Sequence, residues 1–366
     1  MRGILDTPSP DGFRRVERRP RVLCVVSQGA GALLRQLVSE GVSPWLSVQD
    51  PAEFDTGIRY PVLGGHFHNA CAPAGTSPAQ AARACDALLP VFGDSGGTAG
   101  LVSVPVPDRR AGGGTALVAA ARTVHEKVGR RNAVVRLPAS PDGIRALADL
   151  LAEGIGVHAS LVFSGGRCAE VLDAYVAGLE RALAAGRPLG AAPLVVSFPV
   201  GRFDREVGAR LDALGVPADA EVRGAAGLAV ARRMYRVREE RLSGDWWRVL
   251  RANGALQPRL LWGPGADGGV GALVGWNTAL ALSVETLEAA ALAPALTGDT
   301  LLNADAEAAC ALRALERLGV SVPDVAAVLE AAELHRLRHG RPVRRGSVPA
   351  ASPGSGSSSG PAAEQP

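Results

Sequence analysis

The sequence predicts an α/β protein closed as a (β/α)8 TIM barrel, with an open doubly wound sheet as the alternative closure. Two observations carry that reading. Short apolar runs alternate with Ala- and Leu-rich stretches of helical length, and 366 residues at 47% hydrophobic suffice for one large core or two modest ones. A third observation narrows the use of the fold. GGTAG, AGGGT and ADGGVG follow no phosphate-loop spacing, and no GxGxxG or Walker-type loop joins a strand to a helix. No nucleotide, and no other cofactor, is therefore predicted.

Taken in order, residues 1–30 combine Pro, Gly and an arginine cluster from Arg14 to Arg21, and read as a flexible basic arm. The apolar run Val22 to Val26 is interrupted by Ser27-Gln28-Gly29, so a signal peptide is not expected. By the family resemblance given below, a first strand is placed at Trp45-Leu46-Ser47-Val48 and a second at Tyr60 to His66. The stretch between that second strand and Cys85 is shorter than the same resemblance implies, so the barrel is expected to be eroded there, around residues 58–85. The clearest strands are Leu101–Val106, Ala133–Leu137, Val157–Phe163, Leu194–Val200 and Arg259–Trp262. The clearest helices are Gly114–Val128, Pro141–Glu153, Cys168–Ala185, Asp204–Leu214, Gly224–Arg241, Ala304–Leu318 and Val322–His335, several ended by Gly-Val or Gly-Arg-Pro. From Pro342 onward, Arg, Ser, Pro and Gly prevail, a composition unable to bury a core. The expected organisation is a basic arm over 1–30, a barrel over 31–338 and a disordered tail over 339–366.

Net charge is only +3, too small to argue for nucleic acid or a membrane surface, and no run of eighteen apolar residues occurs. The five cysteines are scattered without a CxxC pair, the pattern of a reducing compartment, so a cytoplasmic protein is expected. His66-Phe67-His68 with Cys71 could in principle ligate a metal, but no further ligand stands nearby, and a surface loop is the expected reading. His335-Arg336-Leu337-Arg338-His339 reads as solvated, and Arg223 and Arg232 as scaffold.

One charge stands out. In Val135-Arg136-Leu137-Pro138-Ala139-Ser140, Arg136 interrupts a buried strand, so it is either paired for structure or set there for chemistry. Moreover, of 39 basic residues a single one, Lys127, is lysine.

The pieces ACDALLPVFGDSGGTAGLVSVPV, RRNAVVRLPASPDGIRALADLLAEGIGVHASLVFS, VLDAYVAGLERALAAGRPLG and VSFPVGRFDREVGARLDALG together resemble transaldolases of the longer bacterial type. The likeness continues through VRGAAGLAVARRMY, QPRLLWG, GWNTALALSVETLEA and GDTLLNADAEAACALRALERLGVSVPDVAAVLE, and covers most of residues 33 to 335. It implies a (β/α)8 barrel of pentose phosphate pathway ancestry, in which a lysine on the fourth strand forms a Schiff base with a ketose phosphate. By that resemblance Arg136 occupies the lysine's place. The family's acid–base pair, an Asp on the first strand and a Glu on the third, falls on Ser47 and Pro105 unless a slipped register brings in Asp50. Ser160 stands for a Thr, with His158 for an Asn. Ser197 and Arg202 match the family's phosphate-binding Ser and Arg; a salt bridge from Arg202 to Asp204 or a neighbouring helix is the equal alternative. The loop from Trp262 to Gly268 lacks the family's second basic contact and adds Asp267.

Guanidinium stays protonated and non-nucleophilic at biological pH, so the chemistry is not expected to survive the exchange. The expected function is that of a catalytically lapsed transaldolase homologue that binds a sugar phosphate, further copies of itself or active relatives. The alternative is an active transaldolase, or other phosphosugar chemistry centred on Arg136, Ser160 and Arg202.

Overall fold

The computed structural model describes residues 27–59, 67–107, 113–217, 220, 222–265, 269–293 and 296–339. Eight parallel strands pair in chain order, and the last closes on the first: β1 (Val42–Ser47), β2 (Asn69–Cys71), β3 (Val102–Pro105), β4 (Ala133–Pro138), β5 (Val157–Ser160), β6 (Leu194–Phe198), β7 (Arg259–Trp262) and β8 (Thr278–Leu282). This is a TIM barrel, and the open sheet is excluded. Twelve α-helices are described: α1 (Gln28–Ser39), α2 (Pro51–Arg59), α3 (Pro78–Asp94), α4 (Gly113–Val128), α5 (Pro141–Ala152), α6 (Gly165–Ala184), α7 (Val200–Ala213), α8 (Ala225–Arg241), α9 (Asp245–Ala252), α10 (Val284–Ala290), α11 (Asp305–Arg317) and α12 (Val322–His339).

Side chains alternate along a strand, and here the alternation separates two apolar layers. Val135 and Leu137 of β4, Val157 and Ala159 of β5, and Leu194, Val196 and Phe198 of β6 join the large core beneath the helices. Trp45, Cys71, Leu101, Val134, Val195, Leu261 and Ala279 form a separate cluster inside the barrel. Arg136, two residues after Val134, therefore sits on the inward face, and so do His158 and Ser160 of β5 and Ser197 of β6.

The second strand corrects the sequence reading. It is Asn69-Ala70-Cys71 and not Tyr60 to His66, which lie outside the described residues. It is three residues long, yet it pairs with β1 at three positions and with β3 at two, so the barrel closes there. Asn69 makes this short strand serviceable: its side chain donates to Ser43 Oγ at 2.7 Å and accepts from Leu101 N at 2.9 Å, bridging three strands. A helix does follow, because Ser77 and Gln80 form a capping box that starts α3 at Pro78, seven residues before Cys85.

Two boundaries also move. Ser27 caps α1 and bonds Glu288 through both its N–H and its hydroxyl, so the last residues of the expected arm are helical. At the other end α12 continues to His339. Arg14 to Arg21 and the tail from Pro342 lie outside the described residues. Arg223 and Arg232 do serve the scaffold, donating to the carbonyls of Val216 and Pro217 and of Thr300 respectively. Among the described residues no helix is long and apolar enough to cross a membrane.

Candidate active site at the barrel mouth

The loops after the strands build the mouth where TIM-barrel chemistry is done. β4 runs straight into α5, whose start is set by Ser140 accepting from Gly143 N and by Pro141 in the first turn. That turn holds Arg136 near the C-terminal end of its strand, in register with Pro105 on one side and His158 on the other. Its Nη2 donates to Ala72 O at 2.7 Å, and the guanidinium lies against the Cys71 thiol. Burial raises the Cys71 pKa, and the nearby Arg136 only partly offsets that, so the thiol stays protonated at neutral pH.

Beneath Arg136 lies a polar pair that motif reading does not join. Ser103 Oγ and His158 Nδ1 are 2.7 Å apart, both side chains buried, with the Trp45 ring edge-on to the imidazole at 6.2 Å. His158 Nε2 is buried without a hydrogen-bond partner. Burial, and then the positive charge of Arg136, hold His158 well below its ordinary 6.5, so it is neutral at physiological pH. The unfolded chain therefore binds an extra proton as pH falls through about 6.5, and the contribution is fully present above that value and lost below it. Urea unfolding is expected to show stability falling between pH 7.5 and 5.5, with a shallower fall in His158→Asn. An unchanged slope in that variant would assign the effect to the other imidazoles held low by burial, His68 and His125.

The remaining sequence-derived residues divide. Ser160 ends β5 on the same inward face, its hydroxyl donating to Leu137 O at 3.0 Å. Ser197 follows on β6, and the loop after β7 approaches so closely there that a Cβ on Gly201 would stand 2.4 Å from Gly265 Cα. Arg202, in the first turn of α7, is not open to solvent as a free cation. It is ion-paired with Glu333 of α12, which also pairs with Arg336. A second pair, Arg167 to Glu330, ties α12 to the start of α6. The salt-bridge alternative is thus the one observed, with a partner from the C-terminal helix; Asp204 instead accepts from Gly227 N at 2.7 Å. His335, Arg336, Leu337 and Arg338 are exposed, as the solvated reading expects, although Arg336 also pairs with Glu333 and His335 too has a partner.

Asp50 is no stand-in acid. Its carboxylate accepts from the N–H groups of Ala52 and Glu53 and caps α2. Ser47 and Pro105 end β1 and β3 with no ionisable group. Asp267 lies outside the described residues, as does His66. The surface-loop reading of the latter's neighbours is overturned, since Phe67 and Cys71 are buried. Among the described residues no three His, Cys, Asp or Glu side chains gather into a metal site.

Comparison with known proteins gives this mouth its ancestry. The family described as Transaldolase/Fructose-6-phosphate aldolase matches residues 78–338. A transaldolase of Arthrobacter sp. is 36% identical over 266 residues, 70% of this chain and 71% of its own. Transaldolase 1 of Streptomyces avermitilis is 37% identical over 263 residues, 69% of each chain. Transaldolase 1 of Streptomyces coelicolor is 38% identical over 263 residues, 69% of this chain and 68% of its own.

The chain belongs to the transaldolase family. Within that family's barrel, its mouth presents an inward arginine on the fourth strand beside a neutral histidine and several hydroxyls. Such a set can hold an oxyanion or polarise a carbonyl, but it contains no amine to condense with one. The only lysine, Lys127, sits next to last in α4 and is exposed. That helix runs back along the barrel, so its end lies at the face opposite the mouth.

Proposed function

We propose that this transaldolase-family protein has given up Schiff-base turnover and keeps a mouth that binds a phosphorylated sugar. The observation that carries the reading is Arg136 on β4, where the resemblance expects the imine-forming lysine, in a chain whose one lysine is Lys127. An imine needs an amine that can lose its proton, attack a ketone carbonyl and expel water. Burial lowers the pKa of Arg136, yet a guanidinium is delocalised, holds its proton at biological pH and is no nucleophile. The acid–base positions compound the loss, because Ser47 and Pro105 cannot shuttle a proton at neutral pH.

Binding is supported by the groups that remain. Arg136, Ser160, Ser197 and Arg202 offer donors at the ends of neighbouring elements, and a guanidinium suits bidentate phosphate contact. The Glu333 carboxylate now answers Arg202, so a phosphate ester must displace it. Glu333→Gln is accordingly expected to tighten sugar-phosphate binding by about three- to tenfold, as one competing charge is removed. Calorimetric titration with fructose 6-phosphate reads this directly, and an unchanged or weaker affinity would mean that the phosphate is held elsewhere.

The names of the relatives favour a second reading, an active transaldolase working through other groups. Incubation with fructose 6-phosphate and erythrose 4-phosphate separates the two. Binding without sedoheptulose 7-phosphate supports the lapsed reading, and product at a rate typical of enzymes, about 1 per second or more, supports the second. If neither sugar binds, the sugar-phosphate reading of the mouth is overturned.

A further inference from the structure

The end of the barrel opposite the mouth holds a cavity of about 470 Å³. Arg259, Arg251, His68 and Gln257 supply its charged and polar side, Leu256 and Trp276 part of its apolar wall, and no Asp or Glu lines it. Arg259 is the first residue of β7, two before Leu261 of the interior cluster, so it faces inward at the barrel floor.

Its guanidinium is poorly answered by the protein. Nη1 donates to Thr278 O at 3.4 Å and Nη2 to Thr98 O at 3.3 Å, both long. Among the described residues it makes no ion pair with a carboxylate. Arg238, the other deeply buried arginine of this end, differs: it donates to Asn277 O at 2.7 Å and Trp276 O at 3.0 Å, pairs with Glu239 and lies 4.6 Å from the Tyr235 ring. Arg238 is a satisfied strut; Arg259 keeps three of its five N–H groups for something else. Burial, with Arg238 as the lesser cause, brings Arg259 down to about 10, so it remains charged at pH 7. Burial and Arg259 together lower His68, which is then a neutral donor or acceptor beside the cation.

We infer that this cavity is an anion site distinct from the mouth, taking the phosphate or carboxylate group of a small organic molecule between Arg259 and Arg251, with its apolar part against Leu256 and Trp276. A guanidinium with no carboxylate partner among the described residues, in a concave space that no Asp or Glu lines, attracts an oxyanion and forks onto two of its oxygens. Trp276, 66% exposed, offers a flat face for a ring or chain. The site lies a strand length, roughly 15 Å, from the mouth, so it is independent of the sugar-phosphate reading.

Calorimetric titration of the full chain with inorganic phosphate, phenyl phosphate and benzoate tests the inference. Phenyl phosphate or benzoate is expected to bind with a change in tryptophan fluorescence that is lost in Trp276→Phe. The binding should persist in Arg202→Gln, fall at least about tenfold in Arg259→Gln and fall severalfold in Arg251→Gln. Arg251 is exposed, so its variant is expected to fold even if Arg259→Gln does not, and Arg259→Lys, which keeps the charge without the fork, should be intermediate. Tighter binding of phenyl phosphate than of benzoate identifies a phosphate ester, and the reverse a carboxylate. No binding by any of the three up to about 10 mM, or binding indifferent to both arginine variants, would overturn the inference and leave Arg259 as a plug in the barrel floor.

Discussion

Arg136→Lys is expected to remain without useful transaldolase turnover, even though it returns an amine to the fourth strand. The new ammonium would stand in the register of Pro105 and His158, against a protonated thiol, with burial favouring loss of its proton. Imine formation could begin there. The steps that follow need proton transfers to and from the carbinolamine and the enamine, and the ends of β1 and β3 carry Ser47 and Pro105. A positioned acid or base typically contributes about 10²–10⁴-fold, so the single variant should fall short of competent relatives by at least that factor. A coupled assay of aldose phosphate release reads the outcome. Turnover of Arg136→Lys within about tenfold of an active homologue would show that another group performs the proton transfers.

The largest expected loss of stability belongs to Arg238→Met. The Arg238 side chain is fully buried on α8 and donates to the carbonyls of Trp276 and Asn277 just ahead of β8. Asn277 stands there at φ 54°, in the left-handed region that asparagine enters more readily than most residues. Methionine fills much of the volume but removes the donor to the part-buried Asn277 carbonyl and leaves the Trp276 carbonyl only the long bond from Tyr235 at 3.4 Å, each loss costing about 1–3 kcal/mol. A loss of about 2–5 kcal/mol follows, with a melting temperature lower by on the order of 10 °C. Scanning calorimetry checks it, and a shift under about 2 °C would mean that water takes over the carbonyls.

The sequence made the strand–helix alternation legible because most strands are continuous apolar runs flanked by strong helix formers. Ala133 to Pro138 and Arg259 to Trp262 lie within a residue of their expected bounds. The second strand was not legible. Asn69-Ala70-Cys71 has no apolar run to show, and it exists because β1 and β3 supply its partners. At the mouth, Arg136 could be seen from its anomaly in an apolar strand. Ser103 and His158 carried a usable signal, since period-two alternation turns both inward, but joining residues 55 apart needs the closed barrel. Glu333 carried none: a carboxylate on an amphipathic C-terminal helix reads as solvated until α12 is seen docked on α7, where it is 7% exposed and answers Arg202.

Borohydride trapping tests the central claim most directly. The folded chain is incubated with fructose 6-phosphate, reduced with borohydride and weighed intact. The account predicts no added mass, because reduction traps only an imine and no lysine stands at the mouth. An adduct mapped by peptide mass to Lys127, or to any other amine of the chain, would contradict it and return the protein to Schiff-base chemistry.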